Sequence, residues 1–167
     1  MGEAVPVQML PDGSRVILRG LQYESEHNGK EGVISSFEPH ACRYLVRFGA
    51  GSILSIRPRN LLQSLVIQIV DLESRPTLNG LFGRIVGDDE YRLRYHVRMQ
   101  DGQVISVATM NVILPMGTQA RVVNLQNDQH WNGHVGCITS VDRNAKRYVV
   151  AMSADKYLKV RLESMLL

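Results

Sequence analysis

The sequence is poor in aromatic residues and cysteine, and it has no long hydrophobic run. Of its 167 residues, 6% are aromatic, and they include a single tryptophan. No apolar stretch approaches the ~20 residues that span a bilayer as a helix, so we expect no membrane partner. The two cysteines, Cys42 and Cys137, lie far apart. That is no disulfide framework, and it is typical of a reducing, cytoplasmic or otherwise intracellular setting.

A strong excess of charge of either sign is also missing. The formal net charge is +3, which is a weak field for a chain of this length. Fifteen of the 19 basic residues are arginines, which suit planar or anionic partners better than lysines do. The charge balance therefore permits nucleic-acid binding without requiring it.

The chain lacks a recognisable catalytic constellation. It has no Gly-x-Ser-x-Gly nucleophile elbow and no Cys-x-x-Cys pair that would lower a thiol pKa. His130 and His134 have the spacing of two metal ligands on a helix, but they flank a turn motif and have no cysteine beside them. We therefore expect no enzyme activity, no cofactor and no metal site.

A threefold internal repeat is the strongest feature that is present. The string Asn-Gly-x-x-Gly-x-Ile begins at Asn28, Asn79 and Asn132. Without a gap, each copy also has a leucine seven residues before the asparagine and an Arg-Tyr pair that begins fifteen residues after it. Agreement at so many positions in one register predicts a tandem repeat architecture.

The repeat divides almost the whole chain into units joined by very short linkers. An N-terminal lead at 1–13 precedes repeat 1 at 14–63, repeat 2 at 65–114 and repeat 3 at 118–167. The joints have no Gly/Ser-rich or charged stretch that would make them flexible. A unit of this size buries only about 60% of its unfolded surface and is marginal alone. We therefore expect neighbouring repeats to pack closely on each other.

Each repeat has the alternating pattern of β-strands. Tyr44, Val46 and Phe48 share one face of a strand, while Arg43 and Arg47 lie on the other. The Asn-Gly pairs supply the positive φ that a tight turn needs. Five short strands in about 50 residues predict a small antiparallel barrel. The predicted fold is therefore all-β, with three tandem five-stranded barrels.

Each repeat resembles an SH3-like barrel. Its first half, Gly13-Ser14-Arg15-Val16 followed by the Asn-Gly-x-x-Gly-x-Ile step, is similar to a KOW-type or Tudor-like element. The resemblance covers all three repeats and implies a non-enzymatic module. The leading hypothesis is a protein–protein interaction module, a scaffold or adaptor with a protein partner. The alternative is an RNA- or DNA-binding KOW-like module that uses outward arginines.

The first group of candidate binding residues lies in the loop between the first two strands, because loops carry function on rigid scaffolds. The residue before Asn-Gly is His27, Leu78 or Trp131, whereas the frame around it is constant. Tyr23 and His130 lie in the same loops. An exposed Trp131 would be a binding anchor. The other interpretation is a lid folded over the end of the barrel, and the sequence leaves both open.

The second group is made of arginines that alternate with the inward tyrosines. They are Arg43, Arg47, Arg94, Arg98 and Arg147. Equivalent outward arginines would contact phosphates, but a solvated outer face is the interpretation we favour. The net charges of the repeats are +3, −1 and +3, so an acidic-leaning middle repeat interrupts any basic track.

Overall fold

The computed structural model describes residues 10–167, so most of the predicted N-terminal lead lies outside the described residues. Fifteen strands form three five-stranded antiparallel sheets, one after another along the chain. The only helices in the described range are single 3-10 turns. The all-β prediction is confirmed. None of these turns has the length or hydropathy of a helix that could cross a membrane.

The strands and 3-10 helices occur in the same order in all three repeats. The first sheet has β1 (Arg15–Leu18), β2 (Glu31–Glu38), β3 (Arg43–Phe48), β4 (Ser52–Ile56) and β5 (Leu61–Gln63). The second has β6 (Val66–Ile69), β7 (Phe82–Asp89), β8 (Arg94–Met99), β9 (Val104–Ala108) and β10 (Val112–Ile113). The third has β11 (Gln119–Val122), β12 (Val135–Asp142), β13 (Arg147–Ala151), β14 (Tyr157–Arg161) and β15 (Met165–Leu166). The 3-10 helices are Ser25–His27, Pro58–Asn60, Pro76–Leu78, Thr109–Asn111, Gln129–Trp131 and Leu162–Ser164.

The expectation of closed barrels is wrong, because each sheet remains open. In the first sheet the strands pair in the order β4-β3-β2-β1-β5, and the other two sheets repeat this order. The fourth and fifth strands thus lie at opposite edges. The 3-10 helix Pro58–Asn60 carries the chain from one edge to the other, where Leu62 pairs with Ile17 of the first strand. The turn, rather than a ladder of hydrogen bonds, connects the two edges.

An asparagine clamp explains the spacing of the repeated leucine and asparagine. The Asn28 side chain accepts a hydrogen bond from the backbone N–H of Leu21 at 2.9 Å and donates one to its carbonyl at 3.0 Å. Asn79 with Leu72, and Asn132 with Leu125, form the same pair of bonds. The amide thus replaces a backbone partner, and in all three repeats it ties the residue before the second strand to the start of the first loop.

The two glycines of the motif have different functions. Gly29, Gly80 and Gly133 have φ values of +83°, +86° and +88°, as the turn prediction requires. The second glycine permits close packing instead. A Cβ on Gly136 would lie 2.4 Å from Cγ1 of Val150, and the equivalent glycines of the other repeats are as crowded. Only a residue without a side chain therefore fits where the chain enters the second strand.

The inward tyrosines of the third strands are fully buried, as predicted. Tyr44, Tyr95 and Tyr148 have at most 1% of their surface exposed, and they lie among the apolar residues of their sheets. Their hydroxyls accept hydrogen bonds from backbone N–H groups outside their own sheets. In repeat 1 the hydroxyl of Tyr44 accepts from Leu10 at 2.8 Å.

The described residues form two compact units, one ending at Ser64 and the other spanning Leu65–Leu167. The second unit contains the sheets of repeats 2 and 3, and these exchange contacts. The ammonium of Lys146 in repeat 3 lies 3.2 Å from a carboxylate oxygen of Asp71 in repeat 2. The 3-10 helices before β10 and β15 also contact each other. Repeats 2 and 3 therefore pack closely, as expected of neighbours.

Candidate binding cleft

The variable residue of the loop lies at one defined place in each repeat. His27, Leu78 and Trp131 each end the 3-10 helix between the first and second strands. The asparagine clamp follows directly, so the frame fixes the position while the side chain differs. In repeat 1, His27 stacks on Phe48 of the third strand, and in repeat 2, Leu78 and the equivalent Met99 line one cavity. We call the space between these groups the cleft of each repeat.

The cleft of repeat 1 is occupied by its own aromatic side chains. The imidazole of His27 stacks on Phe48 with ring centroids 5.9 Å apart and an interplanar angle of 23°. Nδ1 of the same imidazole lies 3.2 Å from the ammonium of Lys30. Stacking and a polar contact together hold the ring in place, so the predicted site residue His27 has a packing role here.

In repeat 3, Trp131 occupies the equivalent place and is half-buried. Its indole lies between His130 and His134, with ring centroids 5.2 Å and 5.4 Å away. The contact with His134 is edge-on. The indole Nε1 is buried and has no hydrogen-bond partner among the described residues. Trp131 is therefore neither fully exposed nor fully buried, and its ring packs against the two histidines of its own loop.

In repeat 2 the aliphatic side chain of Leu78 stands at this position, and the cleft beside it is open. A cavity of about 300 Å³ lies there, at the lower end of the roughly 300–1,000 Å³ of ligand pockets. Leu81 and Phe82 at its wall are 47% and 53% exposed. The lining residues are Arg75, Leu78, Gly80, Leu81, Phe82, Met99, Gln100, Asp101, Gln103 and Ile105. The β6–β7 loop, the start of β7 and the β8–β9 hairpin thus form one apolar site with a charged rim.

The loop of repeat 2 also follows a different backbone path. Glu24 and Asp128, which precede the 3-10 helices of repeats 1 and 3, have left-handed φ values of 55° and 54°. Arg75 at the same position has φ −141° and ψ 65°. It precedes Pro76, and the residue before a proline is biased away from helical conformations. Arg75 lines the cavity and has no ion-pair partner within residues 10–167.

The arginine candidates do not share one role. Nη1 of Arg43 donates to the carbonyl of Ser55 at 3.1 Å. Arg94 donates from Nε to the Ser106 hydroxyl and from Nη2 to its carbonyl, both at 2.7 Å. Both serines lie on the fourth strand, an edge of the sheet, so these arginines cover edge carbonyls. The remaining three, Arg47, Arg98 and Arg147, are exposed.

The predicted loop residues are brought together only in part. Tyr23 is 87% exposed on the β1–β2 loop. Of the predicted residues, Leu78 alone lines the cavity, while His130 and Trp131 lie against each other in repeat 3. The sequence prediction missed Leu81 and Phe82. Aligning the three repeats would have revealed Leu81, because the equivalent residues, Lys30 and His134, are polar.

Comparisons with known proteins leave the family open. No protein-family model matches the chain, and no curated protein is significantly similar to it. Among residues 10–167, no group of three or more histidine, cysteine, aspartate or glutamate side chains is placed to hold a metal ion. The function must therefore be inferred from the site itself.

Proposed function

We propose that the chain is a non-enzymatic protein-binding module or scaffold, built from three SH3-like repeats that are open barrels in topology. Its repeat 2 binds an apolar side chain of a partner protein in the cleft. The observation that carries this proposal is the cavity beside Leu78. The Asn-Gly frame recurs in every repeat, but only repeat 2 combines an aliphatic residue at this position with Leu81 and Phe82 on the wall.

The chemistry of the wall supports a side chain of a protein over a nucleotide. Leu78, Leu81, Phe82 and Met99 supply apolar surface, and exposed apolar patches on a soluble domain mark interaction sites. The nucleic-acid alternative depends on outward arginines, and two of these, Arg43 and Arg94, already donate to their own edge strand. Nucleic-acid binding therefore stays a prediction without an assembled site.

A selection from a library of random linear peptides tests the proposal. The recovered peptide is titrated against the wild type, Leu78→Trp and the matched control Trp131→Leu. Each variant carries a residue that the same frame already holds in another repeat, so both are expected to fold. We expect Leu78→Trp to fill the cavity and abolish binding, and Trp131→Leu to retain it.

Two results would overturn the proposal. The first is a selection that recovers no binding peptide, and the second is a peptide that binds Leu78→Trp as tightly as the wild type. The nucleic-acid alternative makes its own prediction: an unspecific RNA should bind with log affinity that falls linearly and steeply with log salt concentration.

A further inference from the structure

We infer that the partner of repeat 2 is an extended peptide that pairs with the free edge of β9 and places one apolar side chain in the cavity. This inference rests on the proposed function and specifies how the same cleft is used. It combines the cavity with the unpaired backbone beside it, and main-chain pairing plus a side-chain pocket is a known mode of peptide recognition.

The edge of β9 offers unpaired backbone groups. The N–H of Met99 donates to the carbonyl of Gln103 at 2.8 Å, so Gln103 faces β8. Backbone groups alternate along a strand, and the N–H and C=O of Val104 therefore point away from β8. Within the described residues, these two groups of Val104 have no hydrogen-bond partner. Its side chain is 54% exposed, in keeping with an open edge.

The same strand lines the cavity. Gln103, directly before β9, and Ile105 of β9 contribute to the cavity wall, whereas Val104 between them points to the opposite face of the sheet. A strand added at this edge would lie about 4.8 Å from β9 and would alternate in the same way. The side chain of the added strand that lies opposite Ile105 would therefore face the cavity. An apolar residue there reaches the wall formed by Leu81 and Phe82.

Charges limit both the length and the composition of the peptide. Arg94 already covers the carbonyl of Ser106, so the open part of the edge is centred on Val104. At the rim of the cavity, Oδ1 of Asp101 accepts from the N–H of Gln103 at 2.9 Å. The guanidinium of Arg75, also at the rim of the cavity, forms no ion pair with any residue that the structure describes. The best complement is thus an apolar residue with an acidic neighbour.

Repeats 1 and 3 lack this combination, which makes them internal controls. Ile53 is the equivalent of Val104 in repeat 1 and is equally exposed, but His27 and Phe48 occupy the cleft beside its edge. In repeat 3 the corresponding strand has Lys159 and Arg161, and charged residues on an edge oppose pairing.

The test introduces a proline at the free edge. Val104→Pro removes only the outward N–H, and proline is tolerated on edge strands where the N–H faces solvent. The matched control is Ile53→Pro at the same place in repeat 1. The probe is the tightest peptide recovered from the random linear library on the full chain. We expect Val104→Pro to weaken its binding about tenfold or more, as the loss of a main-chain bond and its neighbours predicts.

The expected pattern has three further parts. Ile53→Pro binds the peptide as the wild type does, the amide of Val104 becomes protected from hydrogen exchange when the peptide is bound, and Arg75→Ala weakens peptides with an acidic neighbour. If Val104→Pro binds normally while Leu78→Trp does not, strand addition is wrong and the proposed function stands. If neither variant changes binding, both fail.

Discussion

The hydroxyl of Tyr148 accepts a hydrogen bond from the backbone N–H of Leu114 at 2.8 Å and donates one to the carbonyl of Val112 at 3.3 Å. The core of repeat 3 thus holds the end of repeat 2. The relationship is reciprocal, because the hydroxyl of Tyr95 accepts from the N–H of Leu167 at 3.1 Å. Each repeat of the second compact unit therefore secures the last residues of the other.

Tyr148→Phe should lower the free energy of unfolding by about 1–3 kcal/mol, because it leaves the buried N–H of Leu114 without a partner. Urea unfolding of the full chain measures the change. The control is Tyr44→Phe, where the N–H of Leu10 is only partly buried and water can replace the phenol. A loss for Tyr148→Phe no larger than that for Tyr44→Phe would contradict the account.

Alkaline pH should destabilise the second compact unit. Burial raises the pKa of Tyr148 above the ordinary value of 10.0, although the hydrogen bond from Leu114 partly opposes it. The folded state therefore retains the proton after the unfolded chain has lost it. The contribution to stability is complete below pH 10 and falls as the pH rises from 10 toward the folded-state pKa.

Unfolding midpoints in urea, measured at several pH values between about 9 and 11.5, test this dependence around the ordinary tyrosine pKa. Tyr148→Phe should flatten the decline, whereas Tyr91→Phe, which removes a fully exposed hydroxyl, should leave it unchanged. Equal slopes for the wild type and Tyr148→Phe would show that another group controls the alkaline response.

Repeat 2 should not fold alone. Excised as 65–114, it loses the phenol of Tyr148 that accepts from Leu114, and Tyr95 loses the N–H of Leu167. A unit of this size has only a small free energy of unfolding, because it buries a small fraction of its surface. We expect circular dichroism and proton spectra of an unfolded or aggregated chain, and a folded spectrum for 65–167. Well-dispersed spectra from 65–114 would refute the mutual support.

Gly133→Val should cost about 1–3 kcal/mol of stability through backbone strain alone. The φ of Gly133 is +88°, and no atom lies within 4 Å of the place that a Cβ would occupy, so no clash contributes. Gly133→Asn is the matched control, because asparagine tolerates positive φ better than valine. Thermal midpoints check both variants. Equal midpoints for the two would show that φ does not determine the cost.

Trp131→Ala should lower stability by less than the ~3–5 kcal/mol typical of a fully buried tryptophan, since the indole is half-buried between His130 and His134. Chemical unfolding followed by circular dichroism measures the loss, because the variant has no tryptophan fluorescence. Trp131→Leu, which copies repeat 2, should cost less still. A loss at or above the fully buried value would identify Trp131 as a lid.

Much of the fold was predictable because it depends on local chemistry. The Asn-Gly turn needs a positive φ, and Gly29 has it. Alternation along β3 predicted that Tyr44 is buried and Arg43 is not. The open sheets were not predictable from such patterns, since strand alternation does not specify which edges pair. The hydrogen bond between Tyr148 and Leu114 depends on which surfaces of the two repeats are in contact. The residue pattern within one repeat does not specify that contact.

The candidate site was predictable only in its location. The varying residue before Asn-Gly pointed to the loop, and Leu78 does line the cavity. The open cleft depends on several positions of the repeat at once: an aliphatic residue in place of a ring at 78, and apolar residues at both 81 and 82. Pro76 also changes the backbone conformation of Arg75, and the spacing of the repeated residues does not predict this change.

An amide chemical-shift titration of the full chain with the library-selected peptide shows directly whether the cleft of repeat 2 binds it. We expect the largest shifts at Leu78, Leu81 and Phe82 and along β9, and we expect the same peptide to leave the spectrum of Leu78→Trp unchanged. Largest shifts around His27 or Trp131, or at the exposed arginines, with repeat 2 unchanged, would contradict it.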